Sequence, residues 1–284
     1  IKFARKFTGK KEMVAMNGSY HGKSMGALSI TFNPKYRKSF QPLVEKVSFS
    51  PFGNIEKLRE TVNDETAFII LEPIQGESGI NVAPDGFLQE VRKLCNEKEI
   101  LLIYDEIQAG LGRTGKMWAH EHWETTPDIL CLAKGIAGGV PMGATLVKSG
   151  ILDSISKGEH SSTFGGNPIA CAAGTATLQA LTQDGLVENS ANMGKLFRKG
   201  LEELKEKHSV IREVRGKGLM IGVELKFEVR DILMEGIEKG LLLLYSGRNI
   251  LRLLPPLVIT EEDITKSLQI LDELFTNEEK RRNA

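Results

Sequence analysis

Glu99-Ile100-Leu101-Leu102-Ile103-Tyr104-Asp105-Glu106-Ile107-Gln108 and, further on, Pro127-Asp128-Ile129-Leu130-Cys131-Leu132-Ala133-Lys134-Gly135-Ile136-Ala137-Gly138-Gly139 decide how this chain folds. Two apolar runs, 100–104 and 129–133, each stop at one charged residue, Asp105 and Lys134. Unbroken apolar runs of this length read as strands buried on both faces, as in a parallel sheet. Ligands of open α/β sheets sit beyond the carboxyl ends of the strands. Asp105 and Lys134 are therefore expected to project into one crevice.

An amine and a carboxylate at neighbouring strand ends suit pyridoxal phosphate, which takes a lysine for its Schiff base and an aspartate to keep its pyridine nitrogen protonated. Strand ends also carry ordinary solvated Asp and Lys, and the pair alone leaves both readings open. Its surroundings add weight. Residues 67–71 read as another buried strand, ended by Glu72, with the loop Pro73-Ile74-Gln75-Gly76-Glu77-Ser78-Gly79 after it. An amphipathic helix over 86–98 returns the chain to the 100–104 strand, a βαβ unit with a right-handed crossover. Gln108 lies three residues past Asp105 and shares its face on a helical turn. Small residues follow Lys134, and the glycine-rich loop 160–168 opens a helix and offers hydroxyls and N–H groups to a phosphate.

Composition narrows the class. The chain has 284 residues, 41% hydrophobic and 26% charged, enough for one large domain or two moderate ones. Lys+Arg and Asp+Glu are both 37, so no charge excess favours nucleic acid or an anionic membrane. No apolar run approaches the roughly 20 residues of a membrane helix. Cys95, Cys131 and Cys171 are widely spaced and read as reduced core thiols, pointing to the cytoplasm. His120 and His122 have the spacing of a strand-borne metal pair, but no Asp, Glu or Cys cluster joins them, and no metal is expected. Residues 1–9 read as the last turns of a helix, with no initiator Met and no signal peptide, so the chain is expected to begin inside a longer one. From Leu186 the pattern changes to mixed strands and helices. Residues 1–185 read as a large domain and 186–284 as a smaller α+β domain. Residues 241–245 read as a strand, 261–275 as a helix, and the charged tail 278–284 as frayed.

Tyr20-His21-Gly22, Glu72-Pro73-Ile74-Gln75-Gly76-Glu77, Asp105-Glu106-Ile107-Gln108 with Gly112-Arg113-Thr114-Gly115, and Lys134 29 residues after Asp105 stand in one order. Ser162-Thr163-Phe164-Gly165-Gly166-Asn167-Pro168 and Arg252-Leu253-Leu254-Pro255-Pro256-Leu257 follow. Together they resemble the class III pyridoxal-phosphate aminotransferases of the ornithine/acetylornithine type, over nearly the whole chain. The resemblance implies the aspartate-aminotransferase-like fold (fold type I), a mostly parallel sheet domain with a smaller C-terminal α+β domain. It implies a Schiff base on Lys134, which also shuttles the proton, and a ring nitrogen paired with Asp105. Gln108 is then placed on the phenolic oxygen and Tyr20 on the ring face, with Glu72 in the same cofactor site. Thr163 is expected to reach the cofactor phosphate of the neighbouring subunit, which implies a homodimer. Ser162 is expected near the substrate, and Arg252, paired with Glu77, on a substrate carboxylate.

Two departures bear on the substrate. Lys23 stands where acetylornithine enzymes usually have Arg, and an ammonium does not make Arg's bidentate fork. The family's phosphate-binding Gly/Ser-Thr loop belongs ahead of Ile1. The reaction expected is transfer of a terminal amino group, from N-acetylornithine or from lysine or ornithine on an amino-group carrier protein, to 2-oxoglutarate in arginine or lysine biosynthesis. The alternatives are a 4-aminobutyrate or ornithine aminotransferase, a semialdehyde aminomutase, or a non-catalytic relative. The Asp-Glu-Ile-Gln and Arg-Thr-Gly motifs speak against the mutase. Retention of Lys134, Asp105 and Thr163 speaks against a non-catalytic relative.

Overall fold

Strands form where the apolar runs lie. The computed structural model describes residues 1–283. In it β1 (Glu12–Met16), β2 (Val47–Ser50), β3 (Thr66–Leu71), β4 (Leu101–Asp105), β5 (Ile129–Leu132) and β6 (Ala144–Val147) make one sheet, in the order β2-β1-β3-β4-β5-β6. The first five are parallel, and β6 runs antiparallel to β5. β3 and β4 are buried at every residue, which is why their sequences are continuous rather than alternating. Between them α1 (Phe87–Lys98) buries Phe87, Leu88, Val91, Leu94 and Cys95, the expected crossover helix. Each such side chain contributes about 1.5–3 kcal/mol when fully buried. α2 (Pro168–Gln183) follows the glycine-rich loop, with its proline at the first helical position.

Two compact units result. One comprises Ile1–Gln75, Ala83–Gln108 and His120–Gln179, and holds this sheet. The other comprises Gly76–Val82, Ala109–Ala119 and the chain from Ala180 onward. It contains the long helix α3 (Leu186–Lys207), β7 (Ile211–Lys217), β8 (Met220–Leu225), α4 (Arg230–Glu238), β9 (Leu244–Ser246), β10 (Ile250–Leu253) and α5 (Glu261–Asn283). Its strands form an antiparallel sheet in the order β9-β10-β8-β7. Leu201, Leu219, Ile221, Val223, Leu251, Leu271 and Phe275 pack its core.

Three local expectations fail. Of the run 241–245 only the end pairs, in β9. The Leu241 N–H donates to the Gly236 carbonyl at 2.8 Å, so the start of the run closes the end of α4. Leu242 is left 82% exposed. The helix expected to end at 275 instead runs on as α5 through the supposedly frayed tail. Glu278, 4% exposed, takes both Arg281 and Arg282 one turn on, and Arg282 lies 3.8 Å over the Phe227 ring. Ala284 lies outside the described residues. Cys171, read with Cys95 and Cys131 as a core thiol, is exposed.

Candidate active site

Parallel strands carry their last residues to the same edge. Leu71 of β3 is in register with Tyr104 of β4, and Asp105 with Cys131 of β5. Glu72, Asp105 and Lys134 therefore follow one another along the carboxyl edge of three adjacent strands. β1 lies beside β3 and feeds Tyr20 and His21 from its own carboxyl end. Cross-links hold this edge together. The Glu72 Oε1 accepts from the Tyr20 N–H at 3.0 Å, and the Gln75 Nε2 donates to the Asn17 carbonyl at 2.8 Å. Lys134 opens a 3-10 turn, Lys134–Ala137, at φ 49°, and is exposed.

Asp105 is the most constrained of these residues. Its Oδ1 accepts from the Ile107 N–H at 3.0 Å, and its Oδ2 accepts from His21 Nδ1 at 2.7 Å. Both side chains are shut away, 2% and 6% exposed. Burial pushes the His21 pKa down, but the hydrogen bond and charge of Asp105, with Glu72 behind, outweigh it and hold the value above the ordinary 6.5. The hydrogen bond and the charge of Asp105 thus favour the protonated form of His21. A carboxylate has about four lone-pair sites, so Asp105 keeps capacity for a further donor. The Gln108 Oε1 is buried without a partner, and so is His21 Nε2. His21 carried no assigned role at the level of sequence. Its only signal there was its position between Tyr20 and Gly22, just past a strand end.

Other titratable groups are committed elsewhere. Glu106, 1% exposed, accepts from both the backbone N–H and Nδ1 of His120 at 2.8 and 2.7 Å. Burial pushes the Cys95 and Cys131 thiols up to about 12, so neither is a nucleophilic thiolate. A cavity of 160 Å³ beside the ion pair is lined by His21, Asp105, Ile107, Cys131 and Thr145 among others. The exposed Lys23 ammonium lies 5.5 Å over the Tyr36 ring, and Tyr36 meets Tyr20 edge-on at 5.7 Å. Ser162 and Thr163 are exposed, in a loop where Phe164 is 81% exposed.

Glu77 and Arg252 belong to the other unit and pair there. Arg252 Nη1 donates to Glu77 Oε1 at 2.6 Å and to the Gly76 carbonyl at 3.3 Å, while its Nε is buried without a partner. The Gly112-Arg113-Thr114-Gly115 motif is structural in the same unit. Arg113 Nη1 donates to the Pro255 and Leu219 carbonyls, and the Arg113 carbonyl accepts from the Leu219 N–H and Ser190 Oγ. Burial lowers the Arg113 pKa to about 10, which leaves it charged at neutral pH.

A mostly parallel sheet with a cationic and an anionic residue at adjacent strand ends, in a chain that also holds a smaller α+β unit, is the aspartate-aminotransferase-like arrangement, and the comparisons agree. The family profile described as "Aminotransferase class-III" matches residues 1–275. An acetylornithine aminotransferase of Caldanaerobacter subterraneus subsp. tengcongensis is 46% identical over 97% of this chain and 72% of its own length. Ornithine aminotransferase 1 of Staphylococcus saprophyticus is 44% identical over 97% of this chain and 72% of its own. A crystal structure of the ornithine aminotransferase from Toxoplasma gondii, described as partly occupied by PLP at its active site, has a TM-score of 0.96 at 33% identity. It covers 100% of this chain, and this chain covers 70% of it. The chain belongs to the class-III aminotransferases, and its activity is that of a transaminase.

Proposed function

We propose that this transaminase moves the terminal amino group of an ω-amino acid, N-acetylornithine or lysine or ornithine on an amino-group carrier protein, to 2-oxoglutarate. That assigns it to arginine or lysine biosynthesis. The observation that carries the reading is the carboxyl edge of the sheet, with Tyr20, Glu72, Asp105 and Lys134 following neighbouring strands and a partnerless buried Gln108 oxygen. These groups fit pyridoxal phosphate, which when bound supplies an electron sink for the substrate carbanion. Lys134 would hold it through Nζ and, when that amine is free, serve as the base that takes the proton from the substrate carbon. Asp105, oriented by His21 and the Ile107 N–H, would accept from the ring N–H. Gln108, whose amide reads equally well either way round, would meet the ring oxygen. Tyr20 would cover the ring face.

Glu77 and Arg252 supply donor choice. A charged Arg252 attracts an extra carboxylate, and the ω-amine donor and glutamate need it differently. Paired with Glu77 it is neutralised. When glutamate enters, Glu77 turns away and Arg252, using its partnerless Nε, forks the α-carboxylate. Ser162 would lie near the substrate. Thr163 would serve the cofactor phosphate of a second copy, making the enzyme a homodimer; the exposed Phe164 beside it supports this. Cytoplasmic placement rests on the three unpaired cysteines.

Free ornithine is the second reading. Lys23 in place of Arg favours it, as does the similarity to the staphylococcal ornithine enzyme. A steady-state panel of amino donors with 2-oxoglutarate, run on the holoenzyme, separates them. Lys134→Ala is expected to abolish transamination with far-UV circular dichroism unchanged. Borohydride reduction and peptide mapping that label another lysine would refute the assignment of Lys134.

A further inference from the structure

Arg215, Gly222 and Arg252 stand in one cross-strand row. Gly222 of β8 is in register with Arg215 of β7 on one side and Arg252 of β10 on the other. Side chains directly opposite one another across antiparallel strands share a face. The two arginines therefore flank a residue without a side chain, and the loop carrying Glu77 lies over that gap. A Cβ on Gly222 would come within 3.0 Å of Ile80 Cβ and 3.4 Å of the Gly79 carbonyl. Arg252 holds the near end of this loop through Gly76 and Glu77, with the buried Ser246 Oγ also donating to the Gly76 carbonyl at 3.1 Å. Arg215 holds the far end, its Nε donating to the Gly79 carbonyl at 2.8 Å. Gly79 stands at φ 131°, and a side chain there would meet Ile250 at 2.7 Å and Arg215 Nη2 at 3.0 Å.

Arg215 is itself braced. Its Nη1 donates to Glu213 at 2.6 Å and to Glu224 at 2.7 Å, and Glu224 is held again by Arg212 at 2.8 Å. Arg215 and Glu224 are each 16% exposed in their side chains, so the bracing pair is largely shielded from water. We propose that Arg215 is a positioning residue for donor selection. It clamps the Gly79 end of the loop so that Glu77 meets and leaves Arg252 by side-chain rotation over a fixed backbone. The pairing of Glu77 with Arg252 is then set partly from across the sheet. This inference rests on the Glu77–Arg252 gate proposed above.

The test uses Arg215→Met, which removes donor and charge, and Arg215→Lys, which keeps the charge but loses the fork; the second carries the test if the first does not fold. Both half-reactions of the holoenzyme are followed by stopped-flow absorption, in wild-type and Glu77→Ala backgrounds. Losing a hydrogen bond of this kind should shift the ratio of glutamate to ω-amine kcat/KM toward glutamate by about tenfold. Backbone amides in 77–80 should exchange faster in both variants. In the Glu77→Ala background the Arg215 substitutions should leave the ratio where Glu77→Ala has put it. An equal fall in both half-reactions, or a shift that persists without Glu77, overturns the role of Arg215. If Glu77→Ala leaves the ratio untouched, the gate itself fails and the inference with it. If only the Arg215 variants leave it untouched, the gate stands and the inference alone falls.

Discussion

Asp105 is tied on both oxygens, to the Ile107 N–H and to His21. That fixes its direction for the role proposed for it, facing the ring nitrogen of the cofactor. Asp105→Asn keeps the shape and removes the charge. The proton-abstraction half-reaction should slow by about 100-fold or more, the scale of losing one preorganised electrostatic contact. An unchanged stopped-flow rate would end that assignment. His21 titrates in the opposite sense from a paired carboxylate. Because its folded pKa is raised, its contribution to stability is complete below the ordinary value of 6.5 and is lost as pH rises through the raised value. His21→Asn leaves Asp105 buried without its cation, at a cost of about 3 kcal/mol at low pH. Melting temperatures against pH should fall on the alkaline side in the wild type, and the variant should lack that limb.

At the scale of elements, close approach decides more than propensity. In α3, a Cβ on Gly194 would come within 2.2 Å of the Gly218 carbonyl carbon and oxygen. Gly218 has Thr114 backbone behind it, where its own added Cβ would meet the Thr114 carbonyl carbon at 2.3 Å. Helix propensity favours Ala over Gly by about 1 kcal/mol, while overpacking costs about 1–3 kcal/mol. No side chain can turn aside here, because the obstacle is backbone, so overpacking wins. Gly194→Ala should destabilise by about 2 kcal/mol, read as a lower urea midpoint at constant m. Gly150, in the helical turn Ser149–Leu152 with nothing within 4 Å of an added Cβ, is the control. Gly150→Ala should be neutral or stabilising, by up to about 1 kcal/mol.

At the scale of the molecule, the exposed loop before α2 bears on assembly. Phe164 and Ile169 are 81% and 75% exposed, large apolar groups on either side of the Pro168 helix start. A second copy covering them is the assembly that Thr163 needs for its proposed role. Sedimentation of the holoenzyme should give a dimer. Phe164→Asp should shift it toward monomer at micromolar concentration and lower activity with it. A variant that remains fully dimeric and active would move the interface elsewhere.

By itself the sequence determined the sheet, the βαβ crossover and the charged residues at its strand ends. Burial on both faces demands unbroken apolar runs, and such runs must end where the chain meets a polar edge, so Glu72, Asp105 and Lys134 were legible from spacing alone. Motif order supplied the family, and with it the role expected of Thr163, while a ring platform at Tyr20 and a ring-hydroxyl contact at Gln108 were already readable from the residues. Only the tertiary structure decided what pairs with what. His21 and Asp105 lie 84 residues apart, and their contact depends on β1 and β4 flanking β3 in the sheet. Arg113 is tied to the carbonyls of Leu219 and Pro255, which no local pattern brings near it. The row of Arg215, Gly222 and Arg252 exists through strand register, and a shift of one residue would send those side chains to the opposite face. The helical tail had the same origin, since Phe227 and the charge partners of Glu278 convert a run of charges into a packed turn.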